Sequence, residues 1–449
     1  MSGAGTAAAD MAAGGPSGAA DPHARDVRVM VVIAFVHGIS HFFHLIVAPL
    51  FPWLVNDFGL SYGQLGLLMT VFFVVSGFGQ SAAGFLVDRI GAVPVLFGAL
   101  TMFALGALVL SMSQSFAMFA LGMAIAGCGN APFHPIDYSI LNARVRQRLL
   151  GRAYALHGMS GSLGWALAPV FLAGLASIWG WRMALVGASL LALAGLVLVV
   201  SQRRLLIGAG PEALRLARGS RGLQAAGQGT ARDAGGPAAA ADAPSAFGFL
   251  RSRAIWLSFL FFVVFALALG GVQSFAPAAA GQLFDLDIKS ITLCLTAFML
   301  GSATGMVPGG WAASDPQRAE RLIAIGFGVA FLFGISMVLV AWPPALVPVV
   351  FAMMGFSSGF ANPARDLLIK RATPPGATGR VYGVVYSGLD VGMAIGPALF
   401  GLLMDAGQPG AVWIGIALLQ LSLIGVAWIA GRSSQPAMPP ATGASHVSS

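Results

Sequence analysis

Three histidines, His37, His41 and His44, stand in the stretch HGISHFFH. At i, i+4 and i+7 they fall within about 60° of one another on a helix. An imidazole near neutral pH can take either charge state, and when neutral it donates at one nitrogen and accepts at the other. A stripe of three can therefore pass a proton or hold a solute. Ala34, Ala48 and Pro52 share the stripe, whereas Phe35, Ile39, Phe42 and Ile46 lie opposite. The stripe is expected to face a wet interior, and the bulky groups to face lipid or packed neighbours. His134 and His157 lie in later apolar runs. Three uses stay open for these five rings: each satisfied by a neighbouring carbonyl or side chain, a proton relay or substrate contact, or a metal site. Imidazoles at i and i+4 can share a metal. No cysteine or carboxylate stands beside them in sequence, so no metal is assigned.

Asp390 is the other candidate. It lies halfway through an apolar run, with Tyr386 one turn away and no basic residue near it. A carboxylate at such depth is costly unless paired or protonated. It reads either as a hydrogen-bonded structural acid or as a site for a proton, a cation or a hydroxylated solute.

The elements that must position these groups are apolar. Of 449 residues, 57% are hydrophobic and 9% charged, against about 25% charged in soluble domains. The chain reads as an all-α integral membrane protein. Its net charge of +8 comes from basic residues scattered between apolar runs, which mark topology rather than nucleic-acid binding. Cys128 and Cys294 sit within apolar runs and read as packing residues. Twelve runs are long enough to span a bilayer: 29–55, 62–87, 92–112, 115–141, 151–174, 179–200, 254–281, 289–312, 321–341, 344–369, 379–403 and 410–431. Residues 1–28 and 432–449 read as polar tails without a cleavable signal. Residues 29–200 and 254–431 form two six-helix bundles, and 201–253 is an Ala/Gly/Arg-rich linker.

Basic residues fall on one side of this arrangement. With both ends inside, inner loops hold Arg89, Arg144, Arg146, Arg148, Arg152, the linker arginines, Arg318, Arg321, Lys370, Arg371 and Arg380; outer loops hold Arg182 and Lys289. Such a bias orients a multi-pass protein with both termini in the cytoplasm. The bacterial inner membrane is the expected location.

An internal repeat joins the halves. Gly151, Arg152, Tyr154, Gly164, Ala166 and Pro169 match Gly379, Arg380, Tyr382, Gly392, Ala394 and Pro397 at an offset of 228 residues, and the same offset carries Pro135 onto Pro363 and Gly127 onto Gly355. A parallel six-plus-six repeat is a transporter architecture, with its site near the bilayer midplane between the halves.

Between spans 2 and 3 stands GFLVDRIGAVPVL, residues 84–96. It resembles the loop motif of the major facilitator superfamily through Gly84, Leu86, Asp88, Arg89 and Gly91. The family's basic residues after the second glycine are replaced by Ala92 and Val93. A weaker likeness, carried by Phe133, His134 and Pro135, points to the fosmidomycin-resistance branch. The tight turn is expected to need Gly84 and Gly91, with Asp88 and Arg89 forming contacts that hold one conformation and release in another. The resemblance implies that spans 1, 4, 7 and 10 line a central cavity. It puts His41, roughly 18 Å along span 1, near the midplane, where it meets His134 across that cavity. Asp137 and Arg365 are repeat-equivalents near the cytoplasmic ends of spans 4 and 10. They are expected either to pair as an inner gate, with Asp366 as local competitor for Arg365, or to reach the interface independently.

These readings converge on a secondary transporter rather than an enzyme. It would move a small organic anion or amphipathic compound by alternating access, coupled to protons, and act as a monomer. GMAIGP at 392–397, with Gly401, resembles the family's antiporter motif and favours efflux. No Gly-x-x-x-x-Gly-Lys-Ser/Thr motif occurs, and no cofactor is expected. The alternatives are a non-transporting sensor on the same scaffold and a histidine-based metal transporter.

Overall fold

The computed structural model describes residues 22–207, 251–313, 318–372 and 378–433. Most of the linker and both tails lie outside these residues. Among the described residues, twelve helical spans are long and apolar enough to cross a membrane. They form two six-helix bundles in contact through span 2 with span 11 and span 5 with span 8.

Local sequence explains several boundaries. Ser61 and Gln64 form a reciprocal capping box at the start of span 2, Tyr62–Ile90, satisfying two otherwise orphaned N–H groups. Gly91 ends that span at φ +93°, a conformation an L side chain rarely adopts. The turn between spans 2 and 3 needs only this glycine. Gly84 is helical with open space around it, so its expected turn role is withdrawn. Arg89 is exposed in the last turn of span 2, where a cation suits the helix dipole. The side chain of Asp88 lies outside the described residues.

One other boundary moves. Span 1 begins at Pro22, so residues 22–28, assigned to the tail from sequence, are its first turns. Asp26 in those turns is buried and accepts from Arg146 Nε at 2.5 Å.

Three spans are broken. Span 1 runs as Pro22–His44, an irregular turn, a 3-10 turn and Phe51–Phe58. Span 4 runs as Phe116–Asn130 and Phe133–Arg144; span 7 as Arg253–Ser274 and Ala276–Phe284. Pro49 and Pro52 fall at the first break, and Pro132 and Pro135 at the second. Each proline removes an N–H and crowds the carbonyl four residues back. Single prolines elsewhere, Pro169, Pro363 and Pro397, sit inside continuous helices, as membrane helices tolerate. The histidines therefore stand beside breaks: His44 ends the first segment of span 1, and His134 opens the second segment of span 4.

Close helix packing repeats between halves. A side chain at Gly164 on span 5 would run into the Gly38 carbonyl of span 1; one at the equivalent Gly392 on span 11 would strike the Val263 carbonyl of span 7. Small residues let membrane helices approach in this way.

Candidate functional site

Spans 1, 4 and 5 bring two of the histidines onto one carboxylate. Asp137, on the second segment of span 4, is fully buried. Its Oδ2 accepts from His37 Nδ1 at 2.9 Å and from His157 Nε2 at 3.0 Å. The two imidazoles stack with centroids 3.5 Å apart. His134, half-buried, closes the group at 5.7 Å from His37 and 6.4 Å from His157. Asp137 Oδ1 has no hydrogen-bond partner among the described residues. A buried carboxylate needs such partners, and removing one costs about 3–5 kcal/mol where the charge is left uncompensated.

The stripe continues along span 1. His41 lies tilted at 4.5 Å from His37, stacks at 4.8 Å on His44, and lies 4.4 Å from Trp165. Its ring fills the space beside Gly161 of span 5. His44 donates from Nε2 to Asn130 Oδ1 at 3.1 Å and accepts from Trp165 Nε1 at 3.3 Å. Asn130 in turn donates to Ser76 Oγ at 2.8 Å. His44 is thus a neutral ring with both nitrogens occupied.

The spacing argument placed the rings on a common face, and they do form one group. The expectation of a wet stripe fails at His37, which is 2% exposed beneath spans 4 and 5. Ile39, Phe42 and Ile46 are buried too, packed rather than lipid-facing, while Phe35 is exposed. His134 approaches His37 within its own half, not His41 across a cavity. The absence of a neighbouring carboxylate also fails as a ground: Asp137 stands 100 residues from His37 and 20 from His157. Asn130, Ser76, Trp165 and Gly161 were not singled out from sequence. The Asn130–Pro132 interruption, placed just before His134, was the available signal.

Asp137 and Arg365 are not joined. Arg365 donates from Nε to Asp366 Oδ1 at 3.0 Å and lies 4.8 and 4.9 Å over the rings of Phe262 and Phe265. Tyr386 reaches Asp366 with its hydroxyl at 3.4 Å. The named competitor holds Arg365, and the two histidines hold Asp137. Asp390 makes no hydrogen bond or ion pair among the described residues and faces Gly77 of span 2, across the boundary between the halves.

A different latch closes the end remote from the termini. Asp405, at the end of span 11, accepts from the backbone N–H groups of Tyr62 and Gly63 at 2.6 and 2.7 Å. These are orphan donors at the start of span 2, where helix geometry favours an anion. Deeper, Thr70 Oγ1 donates to the Ala394 carbonyl at 2.5 Å. Beside this latch a cavity of about 500 Å³ lies between the broken ends of spans 1 and 7, lined by Asn56, Tyr62, Pro169, Gln273, Ser274 and Asp285, among others. Gln273 Oε1 and Ser274 Oγ are buried without partners among the described residues. Pro169 is one turn beyond Trp165, so span 5 connects the cavity wall to the histidine group.

A family model of the Major Facilitator Superfamily matches residues 32–397 and 277–448. The fosmidomycin resistance protein of Escherichia coli (strain K12) is 24% identical over 383 residues, covering 84% of this chain and 86% of that protein. The probable L-galactonate transporter of the same organism is 27% identical over 258 residues, 57% of this chain and 54% of the relative, so the chain spans about half that relative's length. The membrane sensor protein UhpC of Salmonella typhimurium is 25% identical over 273 residues, 58% of each. Among solved structures, a bacterial homologue of the human lysosomal transporter Spinster, in an inward-facing and occupied conformation, superposes with a TM-score of 0.67 at 15% identity, covering 92% of this chain and 97% of that one. That likeness shows the fold. Twelve spans, a six-plus-six repeat, the span 2–3 motif and a family match across the membrane region agree: the chain belongs to the Major Facilitator Superfamily, whose members are transporters rather than enzymes.

Proposed function

We propose that this chain is a proton-coupled secondary transporter that moves a small organic solute outward across the bacterial inner membrane by alternating access. Its termini and linker 201–253 lie in the cytoplasm. The observation that carries this reading is the buried Asp137 carboxylate held by two imidazoles, with His134 beside it and His41 and His44 stacked on. One proton gained or lost there changes the net charge of a site closed to water, which is expensive to leave uncompensated. Such a site can favour one conformation when protonated and another when not. Asp390, facing span 2 across the boundary between halves, is a second protonation site. The Asp405 latch closes the outer end, as an inward-opening state requires. The cavity between spans 1 and 7 is the outer part of the solute path, with Gln273 and Ser274 as contacts for a polar solute. Outward movement rests on the span 11 run from Gly392 to Pro397, which packs on span 7 through Gly392 and meets span 2 near Gly66.

Proteoliposomes loaded with a pH-sensitive dye test the reading. Fosmidomycin and L-galactonate, taken from the relatives' names, are the first probes, followed by a panel of organic anions and amphipathic compounds. Solute-dependent proton flux is expected. A solute that binds and shifts thermal stability but drives no flux favours the sensor reading, which the likeness to UhpC supports. Orientation is tested by cysteines at Ser220 and Ser445, which should resist impermeant thiol reagents in intact cells; ready labelling from outside overturns it.

A further inference from the structure

One nitrogen from each of His37, His134 and His157 lies within 4.8 Å of the other two. Asp137 occupies Nδ1 of His37 and Nε2 of His157. When these rings are neutral and donate to the carboxylate, the lone pairs remain on His37 Nε2 and His157 Nδ1. Carboxylates placed behind imidazoles in this way fix the tautomer, aim the ring and raise its basicity at metal centres. Both rings are buried, and half-buried His134 provides access.

We infer that His37, His134 and His157 form a binding site for one divalent transition-metal ion of the zinc class, with Asp137 as the positioning carboxylate. Imidazole suits zinc, copper, nickel and cobalt better than magnesium or calcium. Three protein nitrogens leave a fourth position open for water. A tetrahedral ion with nitrogens about 2.0–2.1 Å away needs those nitrogens roughly 3.3 Å apart. The nitrogens, up to 4.8 Å apart, therefore close by up to about 1.5 Å on binding, while the stacked His37–His157 pair fans open. All three ligands belong to the first bundle, on spans 1, 4 and 5. The ion therefore rivets that bundle instead of bridging the two halves, and it is a bound regulator rather than the cargo. This inference needs neither proton coupling nor a known solute.

The test is Co²⁺ and Zn²⁺ binding to the full-length protein in detergent, purified without a histidine tag. Calorimetry is expected to show one Zn²⁺ per chain, and Co²⁺ to give the intense visible absorption of a tetrahedral nitrogen site. His134→Gln should weaken binding by at least about 100-fold, and Asp137→Asn by about 10–100-fold. His23→Ala, outside the three ligands, should stay within about twofold. Gel filtration and melting curves identify variants that fail to fold. Because His134 is half-buried, its variant separates lost ligation from a collapsed core. No binding by folded wild type, or binding that His134→Gln leaves unchanged, overturns the site.

Discussion

The two halves share their packing and differ in their chemistry. Gly164 against Gly38 in the first half corresponds to Gly392 against Val263 in the second, so the same helix pair meets in the same way. The polar residues at matched positions do not correspond. The 228-residue offset takes His134, Asp137 and His157 onto Asn362, Arg365 and Val385. The first set is a titratable group built around a buried carboxylate. In the second half, Arg365 is bound to Asp366 and covered by aromatic rings. Asn362, Ser358 and Gln420 line a water-sized cavity of about 20 Å³. Span 4 breaks at Pro132, whereas the equivalent of that proline in span 10 is Phe360 and the helix continues. The repeat supplies a scaffold, and one extra proline with a few side chains puts the buried histidine–carboxylate group on one side of it.

The largest expected effect tests the shared part. Gly164→Leu and Gly392→Leu each drive a side chain into a facing carbonyl. Overpacking of this kind costs roughly 1–3 kcal/mol, occasionally more, and here it should sharply reduce folded yield and melting temperature. The two losses should be similar, as measured by fluorescence size-exclusion after heating. A large loss in one half alone would break the claim of equivalent packing.

The unshared part is tested next by exchange. His134→Asn places the second half's residue in the first, and Asn362→His does the reverse. The first should lower solute-driven proton flux by about tenfold or more, and the second should change it by less than about threefold. Equal losses would mean that the asymmetry has no functional consequence. Asp390→Asn should impair coupling more than stability; normal transport over about pH 6–8 would make Asp390 structural. A smaller effect concerns the latch. A charge-assisted pair of hydrogen bonds at an exposed helix start is worth about 1 kcal/mol. Asp405→Asn should thus shift the population toward the outer-open state by roughly fivefold, read as faster labelling of Gln273→Cys, which is buried and lines the outer cavity. Unchanged labelling argues against the latch. His44→Gln, which retains hydrogen-bonding capacity, should change transport by less than about twofold, in contrast to His37→Gln, which strands Asp137.

The spans, the repeat and the helical face of His37, His41 and His44 were legible because each rests on local periodicity or on an offset within the chain. The partners were not. Asp137 meets His37 only because span 4 packs on span 1, and nothing within a helical turn of His37 announces a carboxylate. Asp405 was not singled out in sequence; its role appears only when the start of span 2 comes against it. Gly84 and Gly91 looked equivalent in the motif, yet span 2 continues through the first and turns at the second. Burial of His37 was misjudged because amphipathic spacing separates two faces without telling a packed face from a wet one.

Asp137→Asn gives the most direct test that the first half's histidine–carboxylate group is needed for proton coupling. In proteoliposomes, solute exchange without a proton gradient is compared with net solute-driven proton flux, using the solute identified by the screen. A coupling role predicts that the folded variant retains exchange within a few-fold of wild type and loses net proton flux. Proton flux at the wild-type ratio to solute would contradict it and move the proton site elsewhere in the chain.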